Sequence, residues 1–124
     1  MVRLTDLKRD VETFGTQGSA IGVGALADGM VRRFYKIRLQ QRGATLSNVI
    51  LYGAMGATYG STYGTTIDMF KFDVANQIID WPDGIVQENS VPVYEIDRAT
   101  YDSLIIRTEV ASVDVFALYA DEYP

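Results

Sequence analysis

From Met30 onward the chain alternates. Val31, Arg33, Tyr35, Ile37 and Leu39 fall on one side of an extended segment, and Arg32, Phe34, Lys36 and Arg38 on the other. This period of two is the mark of a strand. Arg42 and Gly43 form a turn, and 46–52 is the next strand. A further strand is expected over 65–74, with Phe70 and Phe72 on one side. Ile78–Trp81 is a short strand ended by Pro82, Asp83 and Gly84, residue types that favour a turn, and 85–87 is its expected hairpin partner. Three more β-rich runs follow at 91–96, Ser103–Thr108 and 112–119. In the last, Val113, Val115, Ala117 and Tyr119 oppose Asp114, Phe116 and Leu118. About seven to eight short antiparallel strands at this spacing predict a mainly β chain, a β-sandwich or barrel.

The N-terminal part has a different pattern. Leu4, Leu7, Val11 and Phe14 follow a 3–4–3 spacing, one stripe of a short helix, with Thr5 or Asp6 as N-cap and Gly15 as stop. Such a helix is marginal alone in water and must dock on the body or on a partner. Residues 15–29 carry five glycines and read as an extended connector. Gly22, Gly24 and Gly29 do not match the dinucleotide-binding spacing, and no strand precedes them. The expected organisation is a helix and Gly-rich arm over 1–29 and a β body over 30–124.

Composition narrows the chemistry. At 124 residues, 48% hydrophobic and 22% charged, the chain suits one domain that needs no disulfide or metal staple. It has no cysteine and no histidine. Thiol nucleophiles, zinc–thiolate sites and Ser–His or Cys–His catalysis are therefore excluded. There is no apolar run of membrane-spanning length. The charged first fifteen residues do not read as a secretory signal, so synthesis in the cytosol is expected.

The net charge of −5 is unevenly spread. Residues 1–42 hold eight basic and four acidic side chains, and residues 43–124 three and twelve. If the split survives folding, copies can dock head to tail through a basic and an acidic face. If the halves interleave, the fields cancel.

Several residues are candidates for contact. Tyr52, Tyr59 and Tyr63 each precede a glycine, a composition that gives adaptable loops and flat amphipathic contact area for proteins or sugars. Arg32, Arg33, Lys36 and Arg38 interleave with Phe34 and Tyr35, as in phosphate-and-stacking surfaces. In an acidic chain, an acidic neighbour fits them better than nucleic acid. Trp81 at a strand end is a core plug, an interface anchor or a sugar platform. Asp80, Asp83 and Glu88 lack the EF-hand spacing. Glu95 and Asp97 could serve as a glycosidase pair only in a cleft, which a small β domain does not provide. No catalytic residue, metal or cofactor is expected. The acidic end, 119–124, could dock on a neighbour's basic face or simply fray.

In overall organisation — docking helix, glycine-rich connector, compact β body, Tyr/Gly loop, no His or Cys — the chain resembles small structural proteins of tailed-phage virions. Capsid decoration (cement) proteins come first and small head–tail proteins second. The resemblance implies a non-enzymatic assembly role in the virion. It implies partners that are copies of the chain or other virion proteins, and neither nucleic acid nor membrane. By that analogy 1–29 would be an arm tying neighbours together. The residues expected to make contacts are Leu4, Leu7, Val11, Phe14, Arg32, Arg33, Tyr52, Tyr59, Tyr63 and Trp81. A competing reading is a carbohydrate-binding β-sandwich using Trp81 with Tyr52, Tyr59 or Tyr63.

Overall fold

The computed structural model describes residues 6–15, 19–21, 26–42, 45–54, 65–82, 86–87, 90–97, 101 and 103–124. Nine strands are found among them: β1 Lys8–Phe14, β2 Ser19–Ala20, β3 Val31–Gln41, β4 Val49–Ala54, β5 Thr65–Phe70, β6 Ile78–Trp81, β7 Tyr94–Asp97, β8 Ser103–Thr108 and β9 Val113–Glu122. Every pairing is antiparallel. One sheet runs β1-β9-β3-β6, with β7 also on β3, and the other runs β2-β8-β4-β5. β7 and β6 share one edge of β3, β7 along 31–34 and β6 along 37–40.

Both sheets feed one apolar cluster. Phe34, Ile37 and Leu39 of β3 and Val113, Val115 and Ala117 of β9 meet Val49 and Leu51 of β4 and Leu104 and Ile106 of β8. Full burial of each large aliphatic side chain is worth roughly 1.5–3 kcal/mol, so this cluster is what holds the two sheets together. A smaller cluster, Ile50, Tyr52 and Ile105, alternates with these residues and so lies on the other face of the four-stranded sheet.

The N-terminal helix is not present, and there is no α-helix among the described residues. Residues 8–14 pair with β9 from Lys8↔Tyr119 to Phe14↔Val113. Pairing on the edge of β9 takes up the backbone of alternate residues of β1 and turns Phe14 into the core, whereas a short isolated helix with a narrow apolar stripe is marginal in water. In a strand, side chains three apart face opposite ways. Leu7 and Val11 therefore share one face while Phe14 turns into the core. Ile21 and Leu26 enter the same core, and β2 pairs with β8. Thus the described part of 1–29 supplies two strands and three core side chains.

β3 also departs from simple alternation. Its register on β9 shifts from Phe34↔Tyr119 to Lys36↔Leu118, leaving Tyr35 as the extra residue of a β-bulge. The bulge changes the phase of the strand. Arg32 and Phe34 before it, and Ile37, Leu39 and Gln41 after it, all turn inward. Without it Phe34 and Ile37 could not share the core.

Other boundaries moved. β4 starts at Val49 rather than 46, and β5 ends at Phe70 before a turn with Asn76 at φ 58°, a conformation asparagine tolerates better than most. Val86 and Gln87 form no strand, so the expected hairpin partner of β6 is absent there. On β4, Gly53 carries the ring of Tyr101: a Cβ at 53 would sit 2.6 Å from Tyr101 Cδ2.

Candidate interaction surfaces

The basic strand is matched almost charge for charge. Arg32, 2% exposed, donates to both carboxylate oxygens of Asp121, at 2.6 Å from Nε and 2.9 Å from Nη2. It also stacks 5.1 Å from the Tyr119 ring centroid. Burial is the largest influence and works against this cation, but the hydrogen bonds to Asp121 together with the charges of Asp121 and Tyr119 outweigh it and the pKa rises. Arg33 donates to Glu95 on β7 and Glu122 on β9, and those two bonds push its pKa far up. Tyr35 donates its hydroxyl to Glu122, and its pKa is raised by burial first and by Glu122 second. Lys36 and Arg38 lie 3.5 and 3.6 Å from Asp80 Oδ1, with Lys36 Nζ also donating to the Pro82 carbonyl. Arg42 sits 3.3 Å from Asp114. The two halves of the sequence interleave here, so their opposite charges neutralise each other within the molecule.

On the outer face of the five-stranded sheet an apolar floor remains. The register places Val11, Phe116, Arg38 and Asp80 in one row across β1, β9, β3 and β6, with Arg9, Leu118 and Lys36 in the next. Val11 is 66% exposed. It lines a groove of about 350 Å³ with Arg38, Gln40, Asp114, Val115 and Phe116. Phe116 and Leu118 were absent from the residues expected to make contacts. The signal was nonetheless in the sequence, since both fall on the otherwise polar side of the 112–119 alternation.

Trp81 is held among aromatics at the side of the molecule where β5 of one sheet approaches β6 and β7 of the other. Its ring meets Tyr94 nearly edge-on, centroids 4.1 Å apart at 81°, and lies 5.5 Å from Phe70. Tyr94 donates its hydroxyl to Asp68 on β5 at 2.9 Å. Burial, then that bond, raises the Tyr94 pKa well above its ordinary range. Tyr52 is 8% exposed and accepts a hydrogen bond from Arg107 at 3.0 Å. Phe14 is core, Leu7 packs beside Tyr35 and Ala120, and Leu4, Tyr59 and Tyr63 lie outside the described residues, as do Asp83 and Glu88. The structure thus brings Leu7, Val11 and Arg33 to one sheet face and separates them from Tyr52, Phe14 and Arg32.

No group of acidic side chains among the described residues is arranged to hold a metal, and no helix among them is long and apolar enough to cross a membrane. No protein-family model matches the chain, and no significant match is found among curated proteins or solved structures.

Proposed function

We propose that the chain is a non-enzymatic structural protein, a β-sandwich that works through contacts with copies of itself and with other proteins of a larger assembly, a virion component in the manner of a capsid decoration or minor head–tail protein. The sandwich is supported by the shared core between the two sheets. One observation carries the assembly reading: Val11, Phe116 and Leu118 form a partly exposed apolar floor whose flanking cations Lys36 and Arg38 already face Asp80. An exposed apolar surface suits protein contact, and Asp80 offsets part of the charge on Lys36 and Arg38 that phosphate binding would draw on. The carbohydrate alternative draws less support, because Trp81 is packed against Phe70 and Tyr94, and Tyr52 is buried.

Molar mass by light scattering on a sizing column tests the reading. Removing 1–29 is unsuitable, since that segment carries β1 and three core side chains, so point changes replace it. The wild type is expected to self-associate. A strict monomer from low to high protein concentration and salt would overturn self-assembly.

A further inference from the structure

Apolar and cationic side chains alternate around β9 on the outer face of the five-stranded sheet. One row places Val11 of β1, Phe116 of β9 and Arg38 of β3 side by side, and the next places Arg9, Leu118 and Lys36. Residues directly opposite in a ladder share a face, so Val11, Phe116 and Leu118 form one contiguous apolar stripe. Leu7, packed beside Ala120, continues it at one end. At the other end stands Asp114, held by the Thr13 hydroxyl at 2.7 Å and facing Arg42 at 3.3 Å.

Cations stand on both sides of this stripe. Arg9 rises from β1, is exposed and makes no ion pair among the described residues. Arg38 rises from β3 with its side chain 47% exposed. The one carboxylate of Asp80 serves both Lys36 and Arg38. Glu95 and Glu122, which balance the count for β3 as a whole, both stand at Arg33. One anion against three cations leaves the surroundings of the stripe positive, although the chain carries net −5. A partner that covers Val11, Phe116 and Leu118 must therefore bring apolar side chains with carboxylates on both flanks.

The spacing suits a helix. Neighbouring strands lie about 4.8 Å apart, so β1 and β3 flank β9 with about 10 Å between them, close to the width of one α-helix with its side chains. A helix laid along β9 buries its apolar residues on Phe116 and Leu118, and the groove of about 350 Å³ beside Val11 has room for a large one. Residues three and four apart on each edge of that helix then reach Arg9 and Arg38. A single strand of nucleic acid would find only the Phe116 ring to stack on and would leave Val11 and Leu118 uncovered. No helix exists among the described residues of this chain, so the described part of a second copy does not supply one. We infer that this sheet face receives an acidic amphipathic helix of another protein, with Arg9 and Arg38 holding its carboxylates. The inference rests on the assembly reading and names the chemistry of one partner.

The experiment is fluorescence anisotropy with the full chain and a labelled synthetic helix of two heptads, leucine on one face and glutamate on the other. Two control peptides replace every glutamate by lysine or every leucine by serine. The protein variants are V11E in the stripe and R9E/R38Q on its flanks. All three positions are solvent-exposed, so far-UV circular dichroism and thermal unfolding should match wild type and certify folding. The expected result is saturable binding of the acidic helix by wild type, weakened on the order of tenfold or more in each variant and with each control peptide. No binding by wild type, equal binding of the lysine peptide, or unchanged binding in both variants overturns the inference. Tighter binding of a labelled single-stranded DNA than of the acidic helix assigns Arg9 and Arg38 to phosphate and overturns it as well. Light scattering without peptide reads self-assembly separately. A monomer that binds the helix overturns self-assembly alone, and an oligomer that ignores the helix overturns this inference alone.

Discussion

Arg32 and Gln41 stand at opposite ends of β3. Both turn to its inner face, and they are 2% and 1% exposed. At each end the strand runs beyond its apolar stretch and places a polar side chain where water does not reach. The Arg32 end answers with charge: a bidentate pair to Asp121, 89 residues away in sequence, flanked by Lys8 and by the Arg33–Glu95–Glu122–Tyr35 group. The Gln41 end answers with a neutral amide whose partners lie within six residues. A buried charge pair is stable only while both members are present, whereas an amide satisfied by its own loop depends on little else. The ionic end thus couples strand β3 to the C-terminal end of β9, and the amide end shapes a local connection.

Asp121→Ala should separate the two ends most sharply. It leaves the Arg32 guanidinium buried without its carboxylate and is expected to cost about 3–5 kcal/mol in urea unfolding. The double change Arg32→Met with Asp121→Leu should recover most of that loss, because an apolar pair has no charge to desolvate. A cost below about 1 kcal/mol for Asp121→Ala would show that the pair behaves like an exposed one. Next in size, Gln41→Leu strands the Ser47 amide and the Arg42 and Thr45 carbonyls, for about 2 kcal/mol. That loss should be the same at pH 6 and pH 8, to within about 0.3 kcal/mol, since the hydrogen bonds it removes involve no titrating group.

Alkali should weaken the ionic end next. Tyr35 has its pKa raised from 10.0 in the folded chain, so the folded state holds this proton more tightly than the unfolded chain. The resulting stability is complete below pH 10 and falls as pH rises towards the higher folded value. Urea midpoints measured from about pH 9 to 11 should fall in wild type and fall less in Tyr35→Phe; parallel curves would remove Tyr35 as the cause. Smallest of all, Lys8 is 59% exposed and 3.9 Å from Asp121. Lys8→Ala should change stability by less than about 0.5 kcal/mol, which marks the boundary between the buried pair and its solvated fringe.

Strands whose side chains alternate without interruption were legible from the sequence. β6 and β8 have the predicted bounds, and the inward set of β9 is the predicted Val113, Val115, Ala117 and Tyr119. β1 was not legible, because Leu7, Val11 and Phe14 satisfy a helical stripe as well as a strand with one residue facing the other way. Only the free edge of β9 favours the strand. The phase change in β3 was equally hidden: Arg33, Tyr35 and Ile37 look like one side until the bulge at Tyr35 divides them. For the surfaces, the apolar pair Phe116 and Leu118 was readable, whereas the placing of Arg9 and Arg38 on either side of it depends on which strands lie beside β9.

By itself the sequence determined the β-rich class, through period-two runs of branched and aromatic residues, and it excluded histidine and cysteine chemistry by lacking both. The tertiary structure decided which residues remain available for contact. It neutralised the basic strand against the acidic half of the chain, buried Tyr52, packed Trp81 and left Val11 outside. Local pattern sets how each segment alternates. Exposure depends on which segment lies alongside, and that is settled by pairings between residues as far apart as Arg32 and Asp121.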